Sequence, residues 1–428
     1  MIWPSCVALT LLGFSGYLKV GEAWTAGWGN ATVIFVFFLM IIAALLEECG
    51  LTNYLANWAV SRKFTAGRPW VLISVIFFSA FLCAAVVHQI PTVLIFWSIC
   101  QGICLEAGYK KGDKLPALLC YGIVFITTIG PVLLPFQMAV VSNFGFLFAS
   151  SKGAITSFDF LQYLLFSAPM AVLILIGFIL FCKYIVRPDV ALLADYRPKQ
   201  DISAEKMSER QKMSVVVAII LVLVLMAPSY LPKNSVLGSL ANTLGNTGSV
   251  ALVLGLVTLL MYKGKPFVAI GDLINKGVAW GLLFMLATAF TLAGAMNSPA
   301  TGVIPYFNKV FGPILGSGGE YYFIIAFLII TVIATNFINN VVVSSIMIPL
   351  SYGFCTSMGI NSMAVVAVFV FVVDYAILLP SASPAGGLMH SSDWVSKDRI
   401  YKWGLLTILL LMVMTTIIGW PLANIVFK

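Results

Sequence analysis

Long apolar runs follow one another along the whole chain, at residues 2–20, 32–50, 71–108, 115–151, 159–186, 213–231, 247–262, 278–296, 322–357, 362–390 and 400–426. A membrane helix needs roughly 20 mainly apolar residues to cross about 30 Å of hydrocarbon, so this pattern predicts helices that cross a bilayer from end to end of the sequence. Runs 71–108 and 322–357 are too long for one crossing and too short for two. Each is interrupted near its middle by polar residues, Cys83 to Thr92 in the first and Thr335 to Ser345 in the second. That predicts a re-entrant helical hairpin, whose non-helical tip is tolerated only when buried in protein or facing a wet cavity. The run after each hairpin carries two prolines four residues apart, Pro131 and Pro135, then Pro380 and Pro384. Proline removes a backbone donor and clashes with the preceding turn, so both runs are expected to unwind there.

The same order of events thus occurs twice, and charge predicts how the two copies are oriented. Placing Arg62, Lys63 and Arg68 in the cytoplasm also places there Lys110, Lys111, Lys114, the basic residues of the 183–212 loop, Lys263, Lys265, Lys276, Lys397, Arg399 and Lys402. Only Lys19, Lys152, Lys233, Lys309 and Lys428 fall on the other side, as the positive-inside rule favours. The first hairpin then opens inward and the second outward. The expected architecture is an all-α polytopic membrane protein of two inverted-topology repeats, each a re-entrant hairpin followed by a broken transmembrane helix. Residues 1–186 form the first repeat (hairpin 71–108, broken helix 115–151) and residues 213–428 the second (hairpin 322–357, broken helix 362–390). A mixed-charge cytoplasmic linker with a short surface helix, 187–212, joins them, and the C-terminus lies outside.

Composition agrees. Of 428 residues 61% are hydrophobic and 9% charged, against about one quarter charged in a soluble domain. The formal charge of +8 sits in short loops, with no aromatic-interleaved patch on which bases could stack, so no nucleic-acid partner is expected. The first run has neither a basic leader nor a small-residue cleavage site, and Met1 to Lys19 reads as a retained helix. The expected location is a bacterial cytoplasmic membrane. Eight cysteines lie scattered in apolar runs. Cys100 and Cys104 share a helix face without a His or acid at ligand spacing, so free thiols are expected.

Oppositely oriented hairpins and unwound helices bring half-helix ends together in the membrane. Their N-termini favour anions, and unwound carbonyls suit Na⁺ or another cation. No Lys or Arg falls in the predicted breaks, leaving backbone dipoles, amides and hydroxyls to hold an anion. The expected function is cation-coupled secondary transport of a small anion. Substrate candidates are His88, Gln89 and Thr92 at the first tip, Asn339 and Asn340 at the second, and Gln137, Ser381 and Ser383 in the unwound turns. Coupling-ion candidates are Cys83, Thr127, Thr128, Thr335, Asn336 and Asp374, an acid deep in an apolar run. Ser344 and Ser345 flank the second tip. The structural alternatives are capping of tips and breaks by the same amides and hydroxyls, bonding of helix hydroxyls within helices, and packing of His88. Glu47, Glu48 and His390 are expected at the membrane interface. An intramembrane enzyme would need a paired catalytic set, which one deep acid and a histidine without an acidic neighbour do not make. A channel or sensor could use the same fold.

Trp3-Pro4-Ser5, the two hairpins, Asn339-Asn340 and Pro380-Ser381-Ala382-Ser383-Pro384 resemble the divalent anion:sodium symporter family of the ion transporter superfamily, in element order over nearly the whole chain. In that family each tip carries Ser-Asn-Thr. Here Asn340 matches the asparagine of the second tip, and His88, in Val87-His88-Gln89, stands at that of the first. In the broken helices Gly386 and Gln137 stand where the family has asparagine. The resemblance implies sodium coupling with a site near Asn340 and Ser383, and a di- or tricarboxylate or sulfate substrate. It also implies a homodimer and an elevator whose mobile part holds the hairpins and broken helices. A proton is the alternative coupling ion, on His88 and Asp374, and a histidine there would make transport pH-sensitive.

Overall fold

Inside hydrocarbon an unsatisfied backbone N–H or C=O costs several kcal/mol, and a helix satisfies both within its own segment. The computed structural model, which describes residues 2–60, 63–87, 89–196, 207–232, 234–315 and 318–428, is accordingly helical almost throughout. In the first half the helices are α1 (Ile2–Phe14), α2 (Val20–Trp28), α3 (Ala31–Glu48), α4 (Leu51–Val60), α5 (Pro69–Val86), α6 (Gln89–Glu106), α7 (Lys114–Ile129), α8 (Met138–Ser150), α9 (Phe160–Leu180) and α10 (Ala191–Asp195). The second half has α11 (Glu209–Tyr230), α12 (Val236–Thr258), α13 (Ile270–Gly277), α14 (Trp280–Met296), α15 (Val303–Leu315), α16 (Gly319–Phe337), α17 (Asn340–Met358), α18 (Ser362–Val373), α19 (Pro384–His390), α20 (Lys397–Met414) and α21 (Trp420–Val426). A two-residue antiparallel ribbon pairs Met261 with Pro266 and Tyr262 with Lys265. Ten helices among the described residues have the length and apolarity of a membrane span.

The interruptions fall where polar residues and prolines break the apolar pattern. α5 stops at Val87, whose backbone is extended, and α6 begins at Gln89. α16 stops at the extended Ile338, and Asn339 caps α17 by accepting from the Val341 N–H. Between α7 and α8 the chain makes a tight turn at Gly130–Val132, and between α18 and α19 it leaves the helix altogether. A Cβ at Gly130 would come within 2.7 Å of the Ala84 Cβ and 2.8 Å of the Phe81 carbonyl oxygen. Glycine is what lets the first break lie against the first hairpin.

Other boundaries differ from the apolar pattern. Residues 2–20 form not one span-length helix but α1, of 13 residues, followed by the separate α2. α11 starts at Glu209 rather than 213, because Ser208 and Gln211 cap its N-terminus reciprocally. α12 starts at Val236 rather than 247: Ser, Asn, Thr and Gly residues dilute its hydrophobicity, yet Ser235 caps it and Gly245 (φ 57°) kinks it. Residues before 278 add the short α13, bent by 71° from α14. Of the 187–212 linker, α10 is helical and residues 197–206 lie outside the described residues.

Packing crosses between the halves. α5 and α6 pack on α7, and α16 and α17 pack on α18. α8 leaves its own hairpin to lie against α17 and α18, while α19 lies against α6 and α7. Hydrogen bonds gather the loop ends into two sets. Lys111 pairs with Asp393 at 3.0 Å, Arg399 Nη1 donates to the Gly112 carbonyl at 2.7 Å, and the Tyr109 hydroxyl donates to the Asp189 carbonyl at 3.0 Å. In the other set, Asn361 Nδ2 donates to the Phe427 carbonyl, Asn424 Nδ2 to Glu320, and Gln162 Nε2 to the Val426 carbonyl. α9 runs from the second set, near Gln162, to the first, near Asp189. Between them, wholly buried, Tyr121, Tyr375 and Thr407 close a triangle of hydroxyl hydrogen bonds, with Tyr121 to Tyr375 at 2.9 Å and Tyr121 to Thr407 at 2.6 Å. The triangle ties the first broken helix and the second break to α20.

Candidate functional site

Where the hairpin tips and helix breaks meet there is a cavity of about 1110 Å³. The beginnings of four helices line it: Gln89 and Ile90 of α6, Met138 and Ala139 of α8 with Gln137 before them, Asn340 and Val341 of α17 with Asn339 before them, and Pro384 of α19 with Ser383 before it. Apolar side chains of α3, α4 and α11, among them Val36, Leu39, Leu55 and Leu221, form the wider wall. Among the described residues three charged ones line the cavity: Asp374, Glu47 at the end of α3, and Lys276 at the end of α13.

The second break is held open by side chains. Asn336, in the last turn of α16, donates to the Tyr375 carbonyl at 3.1 Å and accepts from the Leu378 N–H at 2.9 Å. Thr335 donates to the Val373 carbonyl at the end of α18. Asn340 Nδ2 donates to Asp374 Oδ1 at 3.1 Å, which links the start of α17 to the first residue beyond α18. Ser383 caps α19 by accepting from the Gly386 N–H at 3.0 Å and donates to the Ala376 carbonyl. A Cβ on Gly386 would approach the Leu379 carbonyl to 2.7 Å, so an asparagine there would not fit this turn unchanged. His390 places Nε2 2.8 Å from the Leu378 carbonyl of the break. The turn thus satisfies the Tyr375, Ala376 and Leu378 carbonyls through the side chains of Asn336, Ser383 and His390.

The first break is satisfied differently. From α9 the Tyr163 hydroxyl donates to the Val132 carbonyl at 2.9 Å, and Ser167 to the Leu133 carbonyl at 2.7 Å. Gln137 spends its side-chain amide on the Ala85 carbonyl of the first hairpin, so α8 starts without a side-chain cap. A helix start without a cap keeps N–H donors free for another partner.

Of the candidates read from the sequence, Gln89, Thr128, Gln137, Asn339, Asn340, Ser344, Asp374 and Ser383 line the cavity. Thr335 and Asn336 lie behind it, buried and bonded to the break. Thr127 and Thr128 return their hydroxyls to the Val124 and Phe125 carbonyls of their own helix. Cys83 and Thr92 are fully buried in the hairpin arms away from the cavity wall, and Ser345 bonds the Val342 carbonyl. Ser381 is exposed and does not reach the cavity. His88 lies outside the described residues. Gln89 is the first residue of α6 as Asn340 is of α17. Glu48 pairs with Arg210 at 3.4 Å, whereas its neighbour Glu47 faces the cavity. All eight cysteines are free thiols.

Motif reasoning missed Ser142 and Asn143 on α8. Both are 4% exposed, and both line the cavity. Ser142 Oγ, Asn143 Oδ1 and Gln89 Nε2 are buried polar atoms with no partner. Native interiors rarely leave such atoms unmet, and all three belong to residues that line the same cavity. The signal in the sequence was a second amide, beyond Gln137, within the apolar run 115–151.

The citrate transporter family profile (CitMHS) matches residues 1–373. The chain belongs to the citrate transporter family. An uncharacterized transporter of Methanocaldococcus jannaschii is 23% identical over 340 residues, which is 77% of this chain and 69% of that protein. Uncharacterized transporters of Mycobacterium tuberculosis and Mycobacterium bovis are each 26% identical over 298 residues, 64% of this chain and 64% of theirs. The chain thus spans less than two thirds of the length of the mycobacterial relatives. The crystal structure of the Alcanivorax borkumensis YdaH transporter, described as having an unusual topology, superposes with a TM-score of 0.66 at 14% identity, covering 94% of this chain and 87% of that one. That likeness shows a shared fold. This citrate transporter family member is therefore an integral membrane transporter and not an intramembrane enzyme, in keeping with the symporter resemblance of its hairpins and Pro-Ser-Ala-Ser-Pro turn.

Proposed function

We propose that this chain is a secondary transporter that carries a small anion, a di- or tricarboxylate such as the citrate of its family's name, in symport with a cation. The observation that carries this reading is the convergence of the α6, α8 and α17 N-termini on one cavity. Each such end offers free N–H donors and about half a positive charge, which suits carboxylates without gripping them as a buried arginine would. Lys276 is the only basic side chain that lines the cavity among the described residues.

Asp374 supports coupling to a cation. A carboxylate at the back of an anion site repels its ligand by about 4 kcal/mol at 4 Å for an effective dielectric of 20. A sodium ion held by Asp374 and neighbouring oxygens, near Asn340 and Ser383, would cancel that repulsion. A proton on Asp374 is the second reading; the Asn340 amide, which donates to that carboxylate, favours its charged form and so weighs for the metal cation.

The reading includes inverted repeats and an elevator movement. The bases of the two hairpins bond to opposite sets of loop ends, and the exchange of α8 and α19 between halves is reciprocal. Side-chain hydrogen bonds between described residues run within two groups, α1–α4 with α11–α15 and α5–α10 with α16–α21. Asn297 Nδ2 to Ser150 Oγ, at 3.1 Å, is the bond that joins them. A boundary that one such bond between described residues crosses suits sliding of one group past the other. The homodimer belongs to this reading through the family resemblance.

The test is uptake of labelled citrate into proteoliposomes under imposed Na⁺ or pH gradients. Uptake driven by the Na⁺ gradient, and lost in a folded Asn340→Ala variant, is expected. Uptake driven by pH alone selects the proton, steady currents far above carrier turnover point to a channel, and no flux of any carboxylate refutes the proposal.

A further inference from the structure

Building on that transporter reading, we propose that Asn143 selects hydroxycarboxylates, by accepting a hydrogen bond from a hydroxyl that the substrate carries beside its carboxylate. The orientation of this amide is fixed by its surroundings. Asn143 Nδ2 donates to the Ala139 carbonyl at 2.6 Å, and exchanging the oxygen and nitrogen would bring two carbonyl oxygens together. Oδ1 is therefore the atom left over, buried without a donor on a residue that lines the cavity. A carboxylate has only acceptors to offer and cannot satisfy it, whereas a hydroxyl both donates and accepts. The neighbouring Ser142 Oγ is equally unmet, and Gln89 Nε2 supplies an unused donor on the same cavity for the carboxylate.

A metal cation is the other chemistry that an amide oxygen accepts. Its position argues against that here. Asn143 lies in the second turn of α8, toward the helix end that disfavours cations, and of the two acids that line the cavity Asp374 stands on the opposite repeat and Glu47 at the end of α3. A neutral donor meets Asn143 without that repulsion.

The test compares citrate with propane-1,2,3-tricarboxylate, which has the same three carboxylates and no hydroxyl, as competing substrates and as ligands of the purified protein. Wild type should prefer citrate by about 10-fold or more, because a site built around a hydrogen bond rejects the analogue that leaves it unpaired. Asn143→Leu should bring the ratio close to one by weakening citrate, with propane-1,2,3-tricarboxylate bound as before. Equal affinity for the two in wild type overturns the proposal without recourse to any variant. So does a wild-type ratio retained in Asn143→Leu, or loss there of Na⁺ stimulation with the ratio unchanged, which would make Asn143 a cation ligand. If wild type binds neither compound, the carboxylate reading under the proposed function fails and this inference falls with it.

Discussion

Asn336 and Asn340 sit four residues apart and do different work. Asn336 is buried with both ends of its amide bonded to the second break. Asn336→Leu should cost about 1–3 kcal/mol for each backbone group it orphans, visible as earlier thermal unfolding in detergent; unchanged unfolding would show that the turn holds without it. Asn340 is half-buried, bonds Asp374, and faces the cavity. Its alanine variant should keep its fold and lose cation-dependent uptake. The sequence made both residues visible as amides in apolar surroundings, but not this division. It depends on Tyr375 and Leu378, some 40 residues along the chain. Asn143 was hidden for a related reason: its importance lies in a bond that is not made.

At the scale of elements, the hairpins and breaks were the most legible features, because proline and polar residues stand out against a continuous apolar background. α12 was least legible in its first half, where Ser, Asn and Thr read as loop although a serine cap and intrahelical bonds support a helix. The means of satisfying each break could not be read either. The first uses α9 and the second its own hairpin and His390, partners brought in by tertiary packing. The Tyr121–Tyr375–Thr407 triangle makes a prediction at this level. In a double-mutant cycle of Tyr121→Phe with Thr407→Val, unfolding should show a coupling of about 0.5–3 kcal/mol; strictly additive losses would mean that the three hydroxyls do not act as a unit.

For the whole molecule, the two groups of helices meet across a largely apolar boundary that one side-chain hydrogen bond between described residues crosses. If transport requires them to slide, a Ser150→Cys, Asn297→Cys pair should lose uptake on oxidation and regain it on reduction, while each single variant stays active. Uptake that survives a verified cross-link would rule out movement at that boundary. The central claim, that helix N-termini around one cavity hold a small polycarboxylate, is tested most directly by calorimetric binding of citrate to the purified protein and to an Ala139→Phe variant. That substitution fills the cavity at the start of α8, where Ala139 lines it. Saturable binding to the wild type and none to a variant that unfolds at the same temperature is the predicted result, whereas equal binding to both would place the anion somewhere else.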